Sequence, residues 1–184
     1  MPTLTDARSL LHEWTATDSL RRHAEAVSAA MGEAARQRGG DDETWRIAGL
    51  LHDMDYERHP SPQEHPFVGV KELERLGYSE AIRTAILGHA QYSGVPRETD
   101  MAKALFAVDE LAGFVVAVAL VRPGRMDGMT IRSVKKKLKD KRFAEAVSRD
   151  DIRQGAEELG MDLDALIQLV IDALTREAEP VGLA

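Results

Sequence analysis

The sequence predicts an all-α fold, a compact bundle of amphipathic helices in which the segment after residue 129 reads as a helical extension. Three observations lead there. Apolar residues recur at three- and four-residue spacing, capping residues stand ahead of these runs, and no alternating strand pattern with a hairpin turn occurs.

Taken in order, helix starts are expected at Thr5, Thr17, Asp42, Ser61, Ser79, Thr99, Thr130, Ser148 and Asp162. Each can accept a hydrogen bond from the free N–H groups of a first turn. Pro62 follows Ser61, where a first-turn proline belongs, and Gly77 closes "PQEHPFVGVKELERLG". Trp45, Leu50 and Leu51 share a helical face, as do Ile82 and Ile86. Leu105, Val108, Ala112, Val115 and Ala119 form a longer stripe, and "LDALIQLVIDALTREA" repeats the pattern near the C-terminus. Residues 54–62, 90–98 and 122–129 are the least regular stretches, with prolines in all three and glycines in the last two.

The 184 residues are 43% hydrophobic and 30% charged, enough for one domain with a sizeable core. The absence of cysteine removes disulfides and thiolate-ligated zinc. The N-terminal "MPTLTDARSLLHEW" lacks the pattern of a signal peptide, so a cytoplasmic location is expected. Ala104–Val121 is apolar but carries Asp109 and Glu110, each costing about 3 kcal/mol at a bilayer centre. It reads as a buried helix, and no membrane partner is expected.

Net charge is -7, which argues against general nucleic-acid binding. The charge is uneven. Residues 131–142 hold Arg132, Lys135, Lys136, Lys137, Lys139, Lys141 and Arg142 against Asp140 alone. This run reads either as a solvated helical face or as a patch that attracts an anionic substrate.

Of the six histidines, several sit beside apolar runs. "LLHDMDYERH" places His52 and Asp53 directly after Leu50 and Leu51. His23 lies one turn from Val27, His89 three residues after Ile86, and Asp109 inside the inward stripe, while His65 is expected one turn into the helix after Pro62. Polar groups at such positions need either core hydrogen bonds or a cation. Imidazole with carboxylate suits Mn, Fe, Ni, Co or Zn.

The order His23, His52-Asp53, Asp109 resembles the H…HD…D signature of the HD-domain superfamily of metal-dependent phosphohydrolases. "RRHAEAVSAAM", "IAGLLHDMDYE" and "ALFAVDELAGF" resemble its motifs, and "EHPFVGVKEL" and "ILGHAQYSG" resemble the extra-ligand segments of its HDIG and HD-GYP branches. "VKKKLKDKRFAEAVSRDDI" is similar to the tail of small HDIG-type hydrolases. The resemblance implies a single HD-type domain over residues 1–184, with a metal core at about 18–120 and a helical extension at about 130–178. It assigns His23, His52, Asp53 and Asp109 to a first divalent transition-metal ion. Asp53 would bridge to a second ion held by His65 and His89.

There are departures. Ala90 stands where HD-GYP proteins carry a second histidine, "QYSGVPRE" lacks Gly-Tyr-Pro, and Tyr56 replaces the lysine of HDIGK. These remove the family's case for a third second-site histidine and for cyclic-dinucleotide specificity. Asp55 is a candidate proton-handling residue beside Asp53, with a turn cap as its other reading. His59 is close enough in sequence to contact substrate.

The resemblance implies hydrolysis of a phosphate ester of a nucleotide or related small molecule, through water acidified by the metal. No Ser-His-Asp arrangement, Walker loop or G-x-G-x-x-G sequence competes with that reading. Arg122, Lys136 and Lys137 are the expected phosphate contacts. The alternative is a non-catalytic metal- or nucleotide-binding regulatory module with the same fold.

Overall fold

A computed structural model describes residues 2–184, all helix and connecting turns. The helices are α1 (Leu4–Trp14), α2 (Asp18–Arg38), α3 (Asp42–Leu51), α4 (Phe67–Arg75), α5 (Glu80–His89), α6 (Asp100–Leu120), α7 (Ile131–Leu138), α8 (Arg149–Glu158), α9 (Leu163–Arg176) and α10 (Ala178–Val181). A 3₁₀ turn, Gln91–Ser93, follows α5.

Most starts fall where capping chemistry puts them. Ser79, Thr99, Thr130, Ser148 and Asp162 each accept a backbone N–H from the first turn. Thr17 is at the start of α2 without a side-chain capping bond. Three expectations need correction. The first helix is capped by Thr3, not Thr5, because Asp6 completes a reciprocal capping box with Thr3. The third is capped by Asp41, whose side chain accepts the Thr44 N–H, while Asp42 pairs with Arg46 inside the first turn. No helix begins at Ser61 or Pro62. Pro66 disfavours helical backbone at His65, so α4 starts only at Phe67. His65 therefore sits in the turn before α4.

The two 21-residue helices, α2 and α6, form the centre. α3 packs along α2; α5 and α8 pack on α6; α9 covers both long helices. α2 buries an almost unbroken run from Ala26 to Ala35. α6 buries residues around most of its circumference, including Leu105, Leu111 and Phe114. A helix apolar all round belongs inside, as the Asp109 argument required. No helix among the described residues is long and apolar enough to cross a membrane.

The C-terminal helices share the core with α2 and α6: Ile152, Leu166, Ile167 and Val170 belong to the same cluster as Val27 and Phe114. α8 lies so close to α6 that a Cβ on Gly155 would come within 2.5 Å of the Ala107 Cα. Polar ties reinforce the contact. Arg97 forms a two-pronged pair with Glu158, both bonds 2.7 Å, and donates to the Gly88 carbonyl at 2.8 Å. Arg149 gathers the carbonyls of Phe143, Ala144 and Val147, holding the segment between α7 and α8. That segment and the start of α8 form one wall of the cleft described next.

Candidate metal centre

Five segments bring their polar residues to one place. His23 comes from α2 and Asp109 from the middle of α6; His52 ends α3, Asp53 follows it, and His89 ends α5. His65 comes from the turn before α4. Leu51 and Met54 are both 1% exposed, so the apolar residues flanking His52-Asp53 pin this turn to the core. The Thr15 hydroxyl braces it further by donating to the Met54 carbonyl at 3.2 Å.

The donor atoms are close. His23 Nε2 and His52 Nε2 lie 3.0 and 3.3 Å from Asp109 Oδ1, and 3.3 Å from each other. Asp53 divides its two oxygens. Its Oδ2 faces His52 Nε2 at 3.4 Å and His23 Nε2 at 3.9 Å. Its Oδ1 faces His65 Nε2 at 3.2 Å and His89 Nε2 at 3.3 Å. Two groups of three, His23/His52/Asp109 and His52/Asp53/His89, have ligand atoms mutually within 4.8 Å and could hold a metal ion.

The far side of each ring explains its orientation. His52 Nδ1 is 2.8 Å from the Gly49 carbonyl, His89 Nδ1 contacts the Ile86 carbonyl, and His65 Nδ1 is 2.7 Å from Asp55 Oδ1. Carbonyls and carboxylates accept, so all three Nδ1 atoms donate. A neutral ring then turns its Nε2 lone pair inward. His23 is admitted by Gly113, where a Cβ would stand 3.3 Å from His23 Nδ1.

Four converging imidazoles and two carboxylates leave acceptors facing acceptors, an arrangement that calls for a cation. The proton equilibria report the same demand. Burial opposes charge on His52, yet Asp53 and Asp109 outweigh it and raise its pKa well above the usual value. Burial likewise pushes Asp53 and Asp109 up, but the histidines hold both carboxyls well below their ordinary range. Burial also opposes charge on His65, which Asp53 and Asp55 nevertheless raise to about 9. The donor set therefore fits a divalent transition metal.

The cage forms the floor of a cleft of about 510 Å³. Tyr56, Tyr92 and Phe106 contribute aromatic walls, and Glu110 and Asp151 contribute carboxylates. The Ser148 N–H donates to Glu110 Oε2 at 3.0 Å and Gln91 Nε2 donates to Asp151 Oδ1 at 2.8 Å, tying this wall together. Burial and the neighbouring Asp109 push Glu110 up to about 7. Ala90 lines the cleft beside His89 and adds no donor.

All six expected ligand residues meet here: His23, His52, Asp53, His65, His89 and Asp109. The other candidates do not. Asp55 is 1% exposed and lies behind His65; it also accepts the first-turn Gly69 N–H of α4 at 2.6 Å, so it supports that helix start and does not line the cleft. Arg122, at the far end of α6, donates to the Asp127 carbonyl at 2.9 Å. α6 runs from Asp109 on to Leu120 before the turn that carries Arg122, about 16 Å of helix away from the cage. Lys137 lies over the Phe143 ring at 4.5 Å, and Lys136 lines a groove with Arg132 and Asp164. Neither reaches the cage cleft. His59 pairs with Glu64 at 3.1 Å outside it.

Sequence reasoning missed Glu110, Gln91, Tyr92, Asp151 and Gly113. Glu110 and Gly113 share the Asp109 helix about one turn or less from that residue, and Gln91 and Tyr92 follow His89 by two and three residues; Asp151 had no such signal.

An all-α bundle with a His/Asp cage at the floor of an open cleft defines a helical protein equipped to hold a metal ion. The model of the HD domain family matches residues 20–113, just over half of the chain, and the chain belongs to that family. HD domains bind divalent metals and are generally metal-dependent hydrolases. No curated protein and no solved structure matches the chain.

Proposed function

We propose that the protein is a metal-dependent phosphohydrolase that cleaves a phosphate ester of a nucleotide or related small molecule. One observation carries the reading. The two oxygens of Asp53 face two different pairs of imidazoles at the floor of an open cleft.

His23, His52, Asp109 and Asp53 Oδ2 would hold one ion, and Asp53 Oδ1, His65 and His89 a second. When bound, divalent ions such as Mn, Fe, Ni, Co or Zn would supply Lewis acidity and make a water more acidic. The protein's own part is positioning. Gly49, Ile86 and Asp55 fix three imidazoles from behind, so the cage needs little reorganisation. Ala90 leaves the second set open toward the cleft, where a phosphoryl oxygen can enter.

The test is a screen of phosphate esters, including a nucleotide panel, on protein reconstituted with manganese, nickel or cobalt. Turnover is expected in wild type and lost in His52→Ala. A protein that binds metal tightly and turns over no ester is the non-catalytic module instead.

A further inference from the structure

The cleft above the cage contains no lysine or arginine among its lining residues, whereas Glu110 and Asp151 both line it. Among the described residues, neither carboxylate is paired with a basic side chain. Each takes one neutral donor, the Ser148 N–H for Glu110 and the Gln91 amide for Asp151. Of the basic residues of 131–142, Lys135 pairs with Asp164 at 2.7 Å, Lys137 lies over the Phe143 ring, and Arg132, Lys136, Lys139 and Lys141 line other grooves.

Two large aromatic side chains are exposed at the mouth. Tyr56 is 43% and Tyr92 53% exposed, among few exposed large hydrophobics in the chain. Both line the cleft. Aromatic faces and carboxylates lining one cleft are the chemistry that recognises an ammonium group. Beyond the cage, the same wall works against a second or third phosphate, whose charge would meet carboxylates that no lysine or arginine of the lining offsets.

We propose that the cleft selects a small phosphomonoester with one phosphoryl group and one ammonium group, the phosphate ester of an amino alcohol. Asp151 and Tyr92 are the specificity-determining residues. The inference rests on the phosphohydrolase reading for the phosphoryl end. Water adds to phosphorus as the ester P–O bond breaks, and a water proton passes to the leaving alkoxide, giving inorganic phosphate and the amino alcohol. Asp151 lies outside the region matched by the HD family, so this preference belongs to the C-terminal wall of this chain.

Phosphocholine and 3,3-dimethylbutyl phosphate differ only in the charge of the terminal group, which isolates the claim. On metal-reconstituted wild type, kcat/KM for phosphocholine should exceed that of the neutral isostere about tenfold or more. Asp151→Asn and Tyr92→Ala should each bring the ratio close to one. A nucleoside triphosphate should be a poorer substrate than the matching monophosphate. Isothermal titration of choline alone into metal-loaded wild type should show binding, and the affinity should weaken in Asp151→Asn, a readout that needs no turnover. Equal rates on the two isosteric esters, or a preference for nucleoside monophosphates over both, would overturn the ammonium site and leave the phosphohydrolase standing. Choline binding without hydrolysis of any ester would do the reverse. Circular dichroism of each variant checks that it is folded.

Discussion

Asp55 accepts the Nδ1 proton of His65 at 2.7 Å, which aims the opposite ring nitrogen at Asp53 Oδ1, 3.2 Å away. The same carboxylate uses its second oxygen for the Gly69 N–H at 2.6 Å. Both oxygens are thus committed, and the group is buried.

Asp55→Asn therefore has a definite consequence. Asparagine offers one acceptor oxygen where two donors need one each, so His65 or Gly69 is left unmet. Metal affinity on the His65 side is expected to fall about 10–100-fold, the usual cost of losing such a supporting carboxylate. Metal titration followed by calorimetry measures it. Unchanged affinity at every step would show that His65 is held by packing alone.

Metal content divides the histidines. Wild type should hold two ions per chain at saturation, with the one on the open His65/His89 side leaving first to a mild chelator. His52→Ala should lose metal outright. His65→Ala and His89→Ala should keep one ion but lose most turnover, and His12→Ala, exposed on α1, should match wild type. Elemental analysis after identical reconstitution decides this. Full metal content in His52→Ala would remove the cage assignment, and wild-type turnover in both His65→Ala and His89→Ala would make the centre mononuclear.

The lysine run at 135–137 lies outside the cage cleft. A Lys135/Lys136/Lys137→Gln variant is expected to keep the wild-type Michaelis constant at low and high salt. Its stability should drop by no more than about 1 kcal/mol, through loss of the half-exposed Lys135–Asp164 pair. A raised Michaelis constant that salt abolishes would bring these lysines back as phosphate contacts.

Glu33 sets an acid limit on the fold. Burial pushes its carboxyl up, but hydrogen bonds from Arg36, Arg176 and Gln37 outweigh that and hold it at about 2. A depressed folded pKa gives stability that is complete above the ordinary carboxylate value and disappears as pH falls toward 2. Glu33→Gln should cost about 1–3 kcal/mol near neutrality and flatten the loss of stability below pH 4.5. Urea melts of both proteins across pH 3–7 test this; parallel curves would remove Glu33 from the acid response.

The helices were readable from the chain because capping and apolar periodicity are local. Ser79, Thr99, Thr130, Ser148 and Asp162 start helices for reasons contained within four residues. The errors arose where two local signals competed. Ser61-Pro62 looked like a start, yet Pro66 four residues on overrode it and left His65 in a turn.

By itself, then, the sequence determined the helical class and singled out the residues that converge in the cage, since His23, His52, Asp53, His65, His89 and Asp109 are picked out by neighbours along the chain or by motif resemblance. Tertiary structure alone decided what surrounds them. Asp55 sits behind His65 instead of in the cleft, and Arg122 and the lysines lie away from it. Asp151 of α8 comes beside Gln91, 60 residues earlier, to build the opposite wall. A side chain's direction is set by the packing of its helix against distant helices, here α8 against α6 through Gly155 and Ala107, and no spacing along the chain encodes that contact.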